Sequence, residues 1–478
     1  MKLQDFKMFI GGEWVETNNR INVQNPQNGE IIGTVPAANE MHMKRAIVAG
    51  KAGAAIAAKL SVRERINILS KAAKLIKSRQ EEFAQTVATE GSKTIREARK
   101  EVKRCIETII ISSEEARRIH GETIPFDQSE NSENRIGYYY RYPIGLIAAI
   151  TPFNDPLNLV AHKIGPAIAA GNALIIKPAT VTPISAIKLA EVFEEAGLPK
   201  KVLSVITGKG SEIGELLVCH PDIRMVSFTG GVETGERIAR LAGLKKIGME
   251  LGSSSPVIVL EDANLEETAH SIVSGAFSTA GQNCIGVQRI YIEKSIYPAL
   301  TKKLEQLTRE LRIGDKLSET TDVGPMITEN EAKRVENWVS EATAKGANLI
   351  CGGIRQGAYY EPTLLENVPS NCQLASKEVF GPVALLYPIT HLEEAIELAN
   401  DSMYGLQAGI FTNNMEHAFQ AIHNLEVGGI IVNDSSDFRI DAMPFGGLKY
   451  SGLGREGVKY AVNEMTEPKV VCLNLKQR

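Results

Sequence analysis

Apolar residues recur along this chain in two rhythms. Behind Ser61, the residues Ile66, Leu69, Ala73, Ile76, Phe83 and Val87 follow at helical spacing with Lys and Glu between them, which predicts a long helical stretch with a core-facing stripe. Ser61 and Glu64 form a capping box at its start, each side chain satisfying the other residue's free backbone N–H. A second helical stretch is predicted over Glu97–Ile119. From Ile144 the rhythm shortens to apolar runs at Ile144–Ile150, Ala173–Ile176, Val202–Ile206, Met225–Phe228 and Pro256–Leu260. Segments of helical composition, such as Ile184–Ala196 and Glu233–Ala242, lie between most of them. Buried strands alternating with helices make a parallel sheet covered on both faces. A further series, Val287–Ile292, Ala384–Tyr387, Gly409–Phe411 and Ile430–Val432, predicts a second α/β domain.

Two segments stand outside this alternation. Tyr138, Tyr139 and Tyr140 follow the polar stretch Asp127–Asn134, and Val470, Val471, Leu473 and Leu475 alternate with Cys472 and Asn474 near the end. Both read as edge strands that either pair between subunits or pad a domain edge.

Composition narrows the class. The 478 residues are 43% hydrophobic and 23% charged, the profile of a soluble globular chain. With 53 Lys and Arg against 57 Asp and Glu, both signs mixed throughout, nothing points to nucleic acid or an anionic membrane as partner. Six cysteines without a C-x-x-C spacing suggest reduced thiols in a cytoplasmic enzyme rather than a disulfide framework or a zinc site. Met1–Glu13 lacks the apolar run of a signal peptide, and the longest apolar stretches are too short to span a bilayer.

Candidate chemistry lies in a few small-residue turns. Cys284 stands in Gly281-Gln282-Asn283-Cys284, a bend that follows a predicted helix over Glu266–Thr279. Such a bend can expose a thiol and surround its thiolate with backbone N–H groups, although a lone cysteine otherwise reads as core filler. Glu250 sits in the apolar, glycine-flanked stretch Ile247–Gly252, a setting that suggests a raised pKa suited to a general base. Glu378 stands beside Phe380 and a rigid Gly381-Pro382 turn. Thr207-Gly208-Lys209-Gly210 and Phe228-Thr229-Gly230-Gly231 each follow a predicted strand and open a helix. A glycine-rich turn of that kind lets backbone N–H groups approach a phosphate.

Taken in order, Pro152-Phe153-Asn154, Lys177-Pro178, Phe228-Thr229-Gly230, Glu250-Leu251-Gly252, Gly281-Gln282-x-Cys284, Glu378-x-Phe380-Gly381-Pro382 and Pro444-Phe445-Gly446-Gly447 resemble the aldehyde dehydrogenase superfamily over essentially the whole chain. The resemblance implies a Rossmann-like cofactor domain (1–119 and 142–252) and an α/β catalytic domain (253–448). It also implies a small β oligomerisation ribbon (120–141 and 460–478), in a homodimer or homotetramer. It implies Cys284 as nucleophile, with Asn154 and the Cys284 N–H as oxyanion hole. Glu250 would be the base that activates water, and no metal is needed. NAD or NADP would lie against Thr151, Pro152, Phe153, Lys177, Thr180, Gly210, Phe228, Thr229, Gly230, Gly231, Leu251, Glu378 and Phe380. CoA-acylating relatives lack the glutamate, so Glu250 implies release of a free acid. A non-catalytic scaffold would have lost Cys284, Asn154 or Glu250, and all three are present.

Three positions depart from the family pattern. Phe153 replaces the usual Trp and Gly231 the usual Ser. Thr180 stands where NAD-specific members place a Glu that would repel a 2′-phosphate, so NADP should be accepted. Residues 152–159 and 433–439 look like the lactaldehyde, phosphonoacetaldehyde and non-phosphorylating glyceraldehyde-3-phosphate dehydrogenases. In that subgroup Arg104, His162, Asn283, Ser436, Phe438 and Arg439 fall around the substrate, while a lone Arg or His otherwise reads as a packing or surface residue. Asn283 stands where phosphate-binding members often carry Arg. The implied substrate is therefore a small polar or anionic aldehyde of the lactaldehyde or sulfolactaldehyde kind, with succinate semialdehyde, phosphonoacetaldehyde and glyceraldehyde 3-phosphate as alternatives.

Overall fold

Strand Leu146–Ile150 begins the first sheet in its middle, in a computed structural model that describes residues 4–475. Ala173–Lys177 and Leu203–Val205 add in parallel on one side. The chain then crosses back, and Ile223–Thr229 and Lys246–Glu250 add in parallel on the other. The direction of growth reverses between Leu146–Ile150 and Ile223–Thr229, and in such sheets ligands bind beyond the carboxyl ends of the strands at the reversal. Thr151–Asn154, Thr229–Gly231 and Glu250–Gly252 all lie there. Antiparallel strands close both edges: Gly452–Leu453 beside Lys246–Glu250, and Met8–Ile10 with Glu13–Val15 beyond Leu203–Val205.

Helices cover both faces, as the apolar runs require. The stretch predicted behind Ser61 is two helices, Val62–Ser78 and Gln80–Glu90, because Arg79 leaves helical geometry between them. Thr94 and Glu97 form the capping box of Ile95–Glu115, two residues before the predicted start. Helix Glu40–Ala57 has no counterpart in the apolar pattern. Met41, Val48 and Ile56 are exposed on it, so its apolar residues make no clean stripe. It packs through small residues instead: a Cβ on Gly53 would lie 2.0 Å from the Lys201 carbonyl oxygen.

The second sheet runs Asn348–Cys351, Thr363–Glu366, Val383–Ile389, Val287–Glu293, Ser255–Val259, Gln407–Phe411, Gly429–Val432, parallel except for the first strand. Ser255–Val259, which continues the first alternating series in the sequence, is therefore a strand of the second sheet. Glu122–Ile124, Arg135–Pro143 and Thr466–Asn474 form a separate antiparallel ribbon. The expected ribbon segments 120–141 and 460–478 need adjustment. The strand runs on to Pro143, and helix Val458–Glu464 packs on Asn158–Ala169 and Ile95–Glu115 of the first domain. Among the described residues, no helix is long and apolar enough to cross a membrane.

Candidate active site

A cavity of about 260 Å³ lies where the carboxyl ends of the first sheet meet the loop that enters strand Val287–Glu293, and Cys284, Glu250 and Asn154 all line it. The turn that carries Cys284 is locally strained. Helix Leu265–Phe277 ends, and Thr279, Ala280 and Gly281 then take positive φ of 54°, 52° and 68°. Two non-glycine residues in the left-handed region persist only where the surroundings hold them. Glu97 does so from the first domain, accepting the Thr279 N–H at 2.7 Å. Gln282 adds two bonds, donating to the Thr279 carbonyl and accepting the Ile327 N–H. A Cβ on Gly281 would come within 2.2 Å of the Gly381 carbonyl oxygen, so this turn admits only glycine there.

Helix Ile95–Glu115 forms the opposite wall. Glu97, Lys100, Glu101 and Arg104 recur at three- and four-residue spacing, which puts them on one helix face, and all four line the cavity. Their charges are mostly paired. Lys93 bonds Glu101 and Asp155. Arg104 grips Asp441 through Nε and Nη2 at 3.2 and 2.8 Å. Arg439 donates to Glu456 at 2.8 Å, with its guanidinium 3.7 Å from the centre of the Phe445 ring. Among the described residues Lys100 has no salt bridge.

Burial sets the reactivity of the two central groups. It pushes the Cys284 thiol up to about 12, with Arg439 opposing. Burial and the neighbouring Glu456 carboxylate raise the Glu250 carboxyl well above the usual range, and its Oε2 has no hydrogen-bond partner. Glu456 itself stays ionised: burial works against it, but the Lys163 ammonium (2.8 Å) and the Arg439 guanidinium (2.8 Å) hold its carboxyl below the usual range. Burial pushes Asp437 up to about 7, against the Asn283 amide that donates to it.

The predicted substrate residues divide. Arg104, Asn283 and Arg439 line the cavity. His162 does not: it is fully buried, with Nε2 2.8 Å from Asp441 Oδ1, and burial lowers its pKa so that it is neutral. Ser436 is also fully buried, its hydroxyl spent on the Ile285 carbonyl at 2.8 Å. Phe438 is 50% exposed and outside the cavity lining. These three are corrected to packing or surface positions: His162 and Ser436 are buried away from the cavity, with Nε2 and the hydroxyl bonded to neighbours, and Phe438 lies on the surface outside it. Glu456, Lys163 and Asp441 were missed. Glycine-flanked Glu456, in Gly454-Arg455-Glu456-Gly457, resembles the setting of Glu250 and was the available signal; Asp441 and Lys163 carried none.

The predicted dinucleotide residues fit such a ligand. The Thr151 and Thr229 hydroxyls are buried without a partner at the carboxyl ends of their strands. A Cβ on Gly231 would meet nothing within 4 Å at the start of helix Val232–Ala242, which leaves backbone N–H groups open to phosphate. Gly210 begins helix Gly210–Cys219, and a Cβ on it would meet only Lys177 Cε, at 3.8 Å. Burial lowers Lys177 to about 8, and its Nζ reaches one carbonyl, that of Pro178 at 3.0 Å. Thr180 donates to the Gly208 carbonyl at 3.2 Å. Burial pushes Glu378 up to about 7, and it accepts the Ser253 N–H at 2.9 Å. Phe380, at φ 45°, meets Phe153 edge-on with ring centres 5.7 Å apart. Leu251, Phe228, Gly230 and Pro152 complete the strand ends around these groups.

Comparison with known proteins gives one consistent result. The model of the aldehyde dehydrogenase family matches residues 14–471. The chain is 48% identical to a 3-sulfolactaldehyde dehydrogenase of Priestia aryabhattai over 99% of both chains. It is 50% identical to aspartate-semialdehyde dehydrogenase 1 of Pseudomonas canavaninivorans, over 95% of this chain and 97% of the other. The structure matches that of an NADP-dependent glyceraldehyde-3-phosphate dehydrogenase from Bacillus halodurans, complexed with NADP. The TM-score is 0.96 with 38% identity, covering 99% of this chain and 100% of that one.

Proposed function

The chain belongs to the aldehyde dehydrogenase family, and from that premise we propose that it oxidises a small anionic aldehyde to the free carboxylate, with NADP or NAD as hydride acceptor. The observation that carries this reading is the convergence of Cys284, Glu250 and Asn154 on one cavity whose helical wall presents Lys100 and Arg104. Glu250 takes the proton of Cys284, and the sulfur attacks the aldehyde carbon to give a thiohemiacetal. The Asn154 side-chain amide and the Cys284 N–H bear the developing oxyanion, a contribution that is large in a site shielded from water. The nicotinamide, when bound, supplies the hydride acceptor. Once Glu250 has released the Cys284 proton to solvent, it removes a proton from water as the water oxygen attacks the thioester carbon; the C–S bond breaks, and the product leaves as the carboxylate with Cys284 freed as thiolate. Lys177 and Glu378 would hold the two riboses, and Thr180 leaves room for a 2′-phosphate that a glutamate would repel.

The relatives named above for sulfolactaldehyde, aspartate semialdehyde and glyceraldehyde 3-phosphate support an anionic aldehyde. Most of the cationic side chains on the wall are already neutralised by carboxylates, which favours a singly charged anion over a phosphate dianion. A cytoplasmic homodimer or homotetramer joined through the ribbon belongs to the same reading. The test is formation of NADH and NADPH with a panel of sulfonated, carboxylated, phosphorylated and uncharged aldehydes. Cys284→Ala should abolish it; substantial turnover by that variant would sink the assignment of the nucleophile.

A further inference from the structure

One carboxylate on the cavity wall has no duty in the chemistry above. Asp437 follows strand Gly429–Val432 and lines the same cavity as Cys284. Its Oδ1 accepts from Asn283 Nδ2, on the residue just before the nucleophile. Asn283 is committed at its other end as well, its Oδ1 accepting the Ile285 N–H at 3.3 Å. Its side chain is therefore fixed between backbone and carboxylate and is not free to turn to a substrate. Among the described residues, Asp437 Oδ2 takes no hydrogen bond. Lys100 and Arg104 line the cavity from helix Ile95–Glu115. A substrate that reaches Cys284 thus meets the Lys100 ammonium, the Asp441-bound Arg104 guanidinium and a carboxylate with a free oxygen.

With its carboxyl pushed up to about 7, Asp437 is partly ionised at neutral pH and fully so above it; in that form it offers only acceptor lone pairs, so it stabilises a donor and repels a second anion. Resting on the reading that this cavity oxidises a small anionic aldehyde, we propose that Asp437 recognises a hydrogen-bond donor, a hydroxyl or an ammonium, on the carbon chain between the aldehyde and its anionic end. Asp437 then acts as a specificity residue. Aldehydes with a bare methylene at that carbon leave its oxygen unpaired, and this mismatch separates otherwise equal substrates.

Two pairs of aldehydes test this, each differing in one group: 3-sulfolactaldehyde against 3-sulfopropanal, and aspartate semialdehyde against succinate semialdehyde. The wild-type enzyme should favour the donor-bearing member of at least one pair by about tenfold or more in kcat/KM, the range of one hydrogen bond to a charged group. The pair that shows the preference tells hydroxyl from ammonium. Asp437→Asn and Asp437→Ala should bring that ratio close to one by losing more on the donor-bearing member, with thermal melts checking that both variants fold. A wild-type enzyme indifferent within both pairs overturns the proposal. So do variants that lose both members of a pair in proportion, which makes Asp437 only a prop for Asn283. Failure to oxidise any of the four aldehydes, with uncharged aldehydes turned over well, refutes the anionic-substrate reading itself and this proposal with it.

Discussion

Replacing Glu250 by Gln removes the proposed base while keeping the size of the side chain, and the setting of Cys284 fixes what should follow. With its thiol pushed up to about 12 by burial, Cys284 is far less ionised at pH 7 than an ordinary cysteine. The nucleophile therefore depends on a base to take its proton, and Glu250 is the raised carboxylate in the same cavity with an unpartnered oxygen. Without it, the thiolate must come from solvent. In stopped-flow mixing of the enzyme–NADP complex with aldehyde, the first turnover of Glu250→Gln should slow by about 100-fold or more at pH 7, the usual weight of a general base. The slowed phase should also gain a pH dependence. Raising the pH deprotonates the thiol directly, so its rate should climb about tenfold per pH unit while the pH stays below the raised thiol pKa. Wild type should be faster and less steep. A Glu250→Gln burst as fast as wild type and flat in pH would refute this reasoning and confine Glu250 to hydrolysis of the thioester.

Thr180→Glu should raise the KM for NADP by about tenfold or more while leaving that for NAD nearly unchanged, because a carboxylate there faces the 2′-phosphate; equal effects in steady-state kinetics with the two cofactors would place the 2′-position elsewhere. Arg104→Ala should raise the KM for an anionic aldehyde by about tenfold or more, and that for an uncharged aldehyde of equal length much less. Equal losses on both would make Arg104 a support for Asp441, which also holds His162 and Asn158.

The residues assigned to the proposed chemistry are legible because each sits in a short, local pattern. Cys284 follows a glycine that the turn cannot exchange, and Glu250 ends a strand whose apolar run marks it as buried. Asn154 stands where the chain leaves the central strand. Residues whose roles depend on distant partners were read less well. His162 carries a titratable ring in an apolar helix and looks like a substrate ligand. Its Nε2 is bonded to Asp441, 279 residues away, and burial holds the ring neutral. Ser436 looks available until the fold brings the Ile285 carbonyl 2.8 Å from its hydroxyl.

Hydrophobic spacing by itself determined the two alternating α/β series, and the small-residue turns determined the strand ends where the chemistry sits. These features are set by interactions within a few residues: periodicity, capping, and the φ that glycine alone takes freely. The tertiary structure decided which charges are free. Arg104 and Asp441 lie 337 residues apart, and Lys163 and Glu456 lie 293 apart. Pairing and burial across such separations decide whether a carboxyl is held ionised, as Glu456 is, or pushed up, as Glu250 is. Both glutamates are glycine-flanked in the sequence, and their surroundings, desolvation in one case and the Lys163 and Arg439 cations in the other, set their charge.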